Sequence, residues 1–111
     1  MKRVFVAGCG FVGLAVARLL HRAGWEVLAG THSEESALRL REEPFPVLAA
    51  DICDRASLAA SPLLRGLDRV IHCASSGRGG AEKYRAVYLE GARNLMEVLA
   101  PGQLLFTGST S

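Results

Sequence analysis

Residues 3–13 read Arg3-Val4-Phe5-Val6-Ala7-Gly8-Cys9-Gly10-Phe11-Val12-Gly13, and this stretch decides the fold. The run from Arg3 to Ala7 is continuous, largely apolar and rich in β-branched residues, as expected of a strand covered on both faces of a parallel sheet. Gly8 interrupts it. Val12, Ala15, Val16, Leu19, Leu20 and Ala23 then recur at helical spacing, with Arg18, His21 and Arg22 on the other side and Gly24 placed to end the helix. A strand, a Gly-x-Gly-x-x-Gly turn and a helix in immediate succession form the phosphate-cradling start of a dinucleotide-binding unit. In that reading Gly8 permits the tight turn, Gly10 lets a pyrophosphate approach the backbone, and Gly13 lets the helix lie close to the sheet. The amides at the helix start, around Phe11 and Val12, face the phosphates.

Outward from this unit the alternation continues. Glu26 to Gly30 reads as a second strand, and Glu34 to Glu43 as a charged surface helix that Thr31 or Ser33 caps and Pro44 ends. Val47 to Ala50 is a third strand, followed by Asp51-Ile52-Cys53-Asp54. Ser57 to Leu64 reads as a short helix closed by Gly66, and Arg69 to Ala74 as a fourth strand. Ser75 to Gly80 is the most loop-like segment. Glu82 to Leu99 reads as a long helix stopped by Pro101-Gly102, and Leu104 to Phe106 as a fifth strand. Strands alternating with helices predict an α/β fold, a doubly wound, Rossmann-like parallel sheet of about five strands in the order 3-2-1-4-5. Such sheets bind ligands at the carboxyl ends of their strands. That rule makes neighbours of Gly8–Gly13, Thr31–Ser33, Asp51–Ile52, Ala74–Gly77 and Thr107–Ser109.

With 111 residues and 11.8 kDa the chain holds one domain, residues 1–111, and leaves no room for a separate substrate domain. Thirteen Lys+Arg against eleven Asp+Glu give a net charge of +2, and the basic residues are scattered, so neither nucleic acid nor an anionic membrane is nominated as a partner. Cys9, Cys53 and Cys73 lack the paired spacing of a zinc clamp and read as thiols of a reducing compartment. Only Val4 to Ala7 lie between Lys2-Arg3 and Gly8, too short an apolar region for a signal peptide, and Arg18 interrupts the later run well below the ~20 apolar residues of a membrane span. The expected location is the cytoplasm. His21 and His72 read as ordinary surface and strand residues, and Trp25 as packing at a helix-strand junction.

A dinucleotide fold commonly carries, about 20 residues after its glycines, an acid that holds the adenosine ribose. Here Gly30-Thr31-His32-Ser33 occupy the end of the second strand, and Glu34 and Glu35, which follow, suit the first turn of the next helix. Thr31, His32 and Ser33 are instead placed to hydrogen-bond a 2′-phosphate. The reading is NADP or NAD, with NADP slightly favoured.

Four stretches carry a family resemblance: Val6 to Gly13; Asp51-Ile52-Cys53-Asp54; Asp68-Arg69-Val70-Ile71-His72-Cys73-Ala74; and Gly91-Ala92-Arg93-Asn94-Leu95-Met96-Glu97-Val98 leading to Phe106-Thr107-Gly108-Ser109-Thr110-Ser111. Over its whole length the chain resembles the N-terminal part of the short-chain dehydrogenase/reductase superfamily, in particular its extended and atypical NAD-dependent epimerase/dehydratase members. The resemblance implies that Asp51 accepts a hydrogen bond from the adenine amino group, that Ile52 packs on or bonds the ring, and that Ala74 and Ser75 line the ribose and pyrophosphate. It places Ser109 against the substrate's reacting oxygen. Read from residue type alone, the competing roles are a helix or turn cap for Asp51 and an ordinary Ser/Thr turn for Ser109.

Two departures accompany the matches. The glycine motif is shorter than the Gly-x-x-Gly-x-x-Gly of extended members, and Tyr88 stands where the long helix often holds Asn. The family's general acid/base, a Tyr followed four positions later by Lys, is absent, since neither Tyr84 nor Tyr88 has that lysine. The expectation is therefore the NAD(P)-binding portion of an oxidoreductase, epimerase or dehydratase, incomplete after its fifth strand and inactive alone. When completed it would act by hydride transfer on a nucleotide-linked sugar or related hydroxyl or keto compound. The alternative from another class is a dinucleotide-sensing regulatory module without chemistry, and a homo-oligomer is a possible assembly.

Overall fold

The computed structural model describes residues 2–8, 11–31, 34–52, 54–73, 89–99 and 102–106. Five strands, β1 (Arg3–Ala7), β2 (Glu26–Thr31), β3 (Val47–Ala49), β4 (Arg69–His72) and β5 (Gln103–Phe106), form one sheet in the order β3-β2-β1-β4-β5. Every neighbouring pair is parallel. The helices are α1 (Phe11–Arg22), α2 (Glu34–Arg39), α3 (Arg55–Ala59) and α4 (Gly91–Leu99), with a 3-10 turn at Pro62–Leu64. The doubly wound order expected from the sequence is the order observed.

Alternation along β1 divides the core in two, because successive strand side chains point to opposite faces. Phe5 and Ala7 pack with Leu28, Leu58, Leu64 and Leu95 under α3, the 3-10 turn and α4. Val4 and Val6 pack with Ala17, Val27, Ala29 and Phe45 under α1. All four of these β1 side chains are fully buried. The amino edge of the sheet is tied by Arg3, whose guanidinium donates to Glu26 at 2.6 Å, to the carbonyl of Leu63 at 2.8 Å and to the carbonyl of Arg65. At the same edge the cationic groups of Lys2 and Arg69 lie 5.7 and 5.0 Å from the centre of the Trp25 ring.

Two helices are shorter than their sequence pattern. The segment expected as one helix from Glu34 to Glu43 leaves α-geometry after Arg39 and continues in i→i−3 turns, Leu40 to Ala37, Arg41 to Leu38 and Glu43 to Leu40. Pro44 disfavours helical geometry at Glu43, and Glu43 is turned back to Arg18 of α1 by hydrogen bonds of 2.8 and 2.7 Å. The helix expected over Ser57 to Leu64 starts two residues earlier and splits in two. Ser61, before Pro62, is extended (φ −93, ψ 113), so α3 stops and a separate 3-10 turn follows. Of the long helix expected from Glu82, residues 82–88 lie outside the described residues.

The Arg18 pair gives the fold one acid-sensitive contact. The Glu43 side chain is only 15% exposed, and the guanidinium's hydrogen bond holds its carboxyl below its ordinary value of 4.5 while raising Arg18 above its own. A carboxyl lowered on folding stabilises the native state above its unfolded pKa, and that contribution disappears as pH falls through the folded value. Glu43→Gln is therefore expected to be less stable than native at pH 7, with the gap closing below about pH 4.5. Urea midpoints at a series of pH values test this; a gap that persists undiminished to pH 3 excludes it.

Candidate cofactor site

Gly8 leaves β1 with φ +88, a conformation that side chains with a Cβ rarely adopt, and its N–H donates to the Gly30 carbonyl at 2.9 Å. The turn is thereby fastened to the end of β2. Gly13, in the first turns of α1, is buried; a Cβ there would fall on the Gly8 carbonyl oxygen and lie 3.2 Å from Cys73 Cβ. Cys73 follows β4, and its N–H donates to the Ala7 carbonyl at 2.8 Å. The exits of β1 and β4 and the start of α1 thus converge with no space for a side chain at Gly13. The convergence brings the amides at the start of α1 to the carboxyl ends of the central strands, where sheets of this class bind their ligands. Phe11 and Val12 form the first positions of α1, and their side chains lie outside the described residues.

Thr31 closes β2 and is buried, and its carbonyl accepts from Ala50 N–H at 2.7 Å. This bond leads directly to the turn after β3. Asp51 is exposed there; its N–H donates to Ser57 Oγ at 3.2 Å and its carbonyl accepts from Asp54 N–H at 2.9 Å. Asp54, not Asp51, caps α3, accepting from Ala56 N–H at 3.0 Å. The helix-cap role considered for Asp51 in the sequence is thus filled three residues later. The Ile52 side chain is buried in the core against Gly91, where a Cβ would come within 2.9 Å of its Cγ1. Its main chain is what remains to meet a ring, and its N–H has no acceptor among the described residues. Gly10, His32, Ser33, Ala74, Ser75 and Ser109 lie outside the described residues.

Sequence reasoning left Asn94 and Arg55 without individual roles. Asn94 shares the buried face of α4 with Gly91, Leu95 and Leu99, and its Nδ2 donates to the Ile52 carbonyl at 2.8 Å. The one signal for it was an amide at i+3 on an otherwise apolar helix face. Arg55 donates to Asn94 Oδ1 at 3.1 Å and to Glu97 at 2.7 Å. His72 is fully buried in β4, and His21 is an exposed residue of α1 edged against Phe45. A hollow of about 280 Å³ lies elsewhere, among Leu58, Ala59, Ser61, Leu64, Arg65, Val98 and Leu99, and contains none of the candidate cofactor residues. Among the described residues no cluster of His, Cys, Asp and Glu fits a metal ion, and no helix is long and apolar enough to cross a membrane.

A parallel sheet in this order with a glycine cradle at its switch point defines a dinucleotide-binding Rossmann fold. The chain belongs to the NAD dependent epimerase/dehydratase family, whose description it matches over residues 4–111. No curated protein matches it. Among solved structures it resembles yeast methylglyoxal/isovaleraldehyde reductase complexed with NADPH, with 20% identity and a TM-score of 0.75, over 97% of this chain and 37% of the reductase. A protein of Methylobacillus flagellatus described as an NAD-dependent epimerase/dehydratase is 26% identical with a TM-score of 0.71, over 98% of this chain and 37% of the other. A short-chain dehydrogenase/reductase superfamily protein from Agrobacterium tumefaciens with bound NAD is 22% identical with a TM-score of 0.70, over 95% and 32%. The chain therefore spans about a third of the length of these proteins.

Proposed function

We propose that this chain is the domain, residues 1–111, that holds a nicotinamide dinucleotide for an oxidoreductase, epimerase or dehydratase of the short-chain type. The observation that carries the reading is the close packing of Gly13 on the Gly8 carbonyl, which sets the start of α1 directly against the exit of β1, as a Gly-x-Gly-x-x-Gly turn requires. Gly8, Gly10, Phe11, Val12 and Gly13 hold the phosphates, with Ala74 and Ser75 beside the ribose. Asp51 accepts from the adenine amino group, and the N–H of Ile52, without an acceptor among the described residues, suits the neighbouring ring nitrogen. Thr31, His32 and Ser33 take the ribose end, with a modest preference for NADP. The family match over residues 4–111 favours this reading over a purely regulatory module.

When bound, the nicotinamide ring accepts or returns a hydride. Ser109 is the proposed contact to the substrate oxygen, and a nucleotide-linked sugar or related hydroxyl or keto compound is the proposed substrate of the whole protein. These 111 residues contain no Tyr-x-x-x-Lys, so they bind without turning over. Calorimetric titration with NADPH and NADH tests the proposal. Both are expected to bind, NADPH a few-fold more tightly. Absence of binding by either, or steady NAD(P)-dependent turnover by the chain alone, overturns it.

A further inference from the structure

We propose that Asn94 is a positioning residue for the adenine end of the cofactor site, acting by fixing the turn that carries Asp51 and Ile52. The inference rests on the reading above that adenine meets this turn. Asn94 is 5% exposed and lies on the apolar face of α4, where an uncharged amide is unfavourable unless both of its ends are paired. Both are paired, and both partners belong to the segment following β3: Nδ2 holds the Ile52 carbonyl at 2.8 Å and Oδ1 accepts from Arg55 at 3.1 Å. An apolar residue would fill this place at less cost, so what the amide adds is orientation.

The orientation falls on one peptide group. The Ile52 carbonyl is pulled toward α4, and the Ile52 side chain is seated on Gly91, where a Cβ would strike it. On the other side of the turn, the Asp51 N–H is held by Ser57 and its carbonyl by Asp54. The backbone bearing the Asp51 carboxylate and the Ile52 N–H is thus held from α3 on one side and from α4 on the other. Arg55 completes the brace, since its second nitrogen donates to Glu97, one turn along α4 from Asn94. A fixed acceptor beside a fixed donor reads a base carrying an amino group next to a ring nitrogen. Without Asn94 the same groups are present but not held in register.

Asn94→Asp tests this while keeping size and the acceptor for Arg55, and removing the donor to Ile52. Arg55→Met, at an exposed position, serves if the first variant does not fold. The probes are NADH and its hypoxanthine analogue, which lacks the 6-amino group, together with amide hydrogen exchange. Native protein is expected to prefer NADH. Asn94→Asp is expected to bind NADH about tenfold more weakly and the analogue less than about twofold more weakly, with Arg55→Met shifted about threefold in the same direction. Exchange should quicken at residues 51–54 and stay native in β1 and α1.

Retention of the native preference in both variants overturns the proposal. So does an equal loss of both probes with faster exchange throughout the sheet, which marks general loosening. If the native protein does not distinguish the two dinucleotides, the adenine reading fails instead. Exchange at 51–54 then still decides whether Asn94 holds the turn.

Discussion

Gly13→Ala is expected to raise the dissociation constant for NADH by about 100-fold. The added methyl would overlap the Gly8 carbonyl oxygen and crowd Cys73, and both neighbours are fixed: Gly8 by its bond to Gly30, and Cys73 by its bond to Ala7. Relief requires the start of α1 to retreat by about 1 Å, since non-bonded contacts need more than 3 Å. A shift of that size stretches amide-to-phosphate hydrogen bonds from ~2.9 Å to near 4 Å, where they no longer form. Losing one or two charge-assisted bonds at roughly 1.5–3 kcal/mol each gives about 3 kcal/mol, or about 100-fold. The fold itself should lose only the overpacking cost, about 1–3 kcal/mol, because α1 keeps its apolar contacts. Calorimetric titration and urea unfolding separate the two effects. Affinity within threefold of native would show that the cradle is not where the dinucleotide lies.

Phe5→Ala is expected to be the most damaging single truncation for stability, at about 3–5 kcal/mol. Phe5 is fully exposed to neither face, being 0% accessible in the central strand, and is the largest of the fully buried side chains. It stands opposite Leu28 on β2 and Val70 on β4, so a void there opens at the middle of the sheet. Domains of this size have total stabilities of only about 5–15 kcal/mol, and the loss consumes a large part of that. The ring also has a dedicated space, since a Cβ on Gly30 would lie 2.5 Å from Phe5 Cζ. Gly30→Ala should therefore destabilise the native protein more than it does the Phe5→Leu variant. A double-mutant cycle in urea reads that coupling. Additive effects, or a Phe5→Ala cost below about 1 kcal/mol, would contradict the packing.

Those two positions show why the first unit was legible. β1 is buried on both faces, so its sequence is a continuous apolar run, and the turn that follows depends on residues adjacent in sequence. The end of α1 was legible for the same reason: Gly24 takes φ +97, its N–H bonds to His21 and the Trp25 N–H bonds to Leu20, all within six residues. Helices α2 and α3 were misjudged in length because residue types compatible with a helix run on into segments whose backbone is no longer α-helical. The prolines that decide this, Pro44 and Pro62, were visible; only the first entered the reading, and it was placed at the end of a helix that had already closed at Arg39. At the candidate site the division is similar. Asp51, Ile52 and the glycines belong to local motifs, whereas the Asn94 bond to Ile52 joins residues 42 positions apart. No local pattern records it.

The position of β1 also governs the order in which the molecule can be assembled. Its backbone is completed on one side by β2, close in sequence, but on the other by β4. The bond from Arg3 N–H to Asp68 at 2.8 Å spans 65 residues. During synthesis β1 therefore emerges before either partner and waits, with one edge open, until Arg69–His72 have followed it. Late closure of a parallel pair of high sequence separation is intrinsically slow and leaves an unpaired edge exposed meanwhile. The strand that begins the cofactor cradle is thus also the one that depends longest on protection from association before the sheet closes.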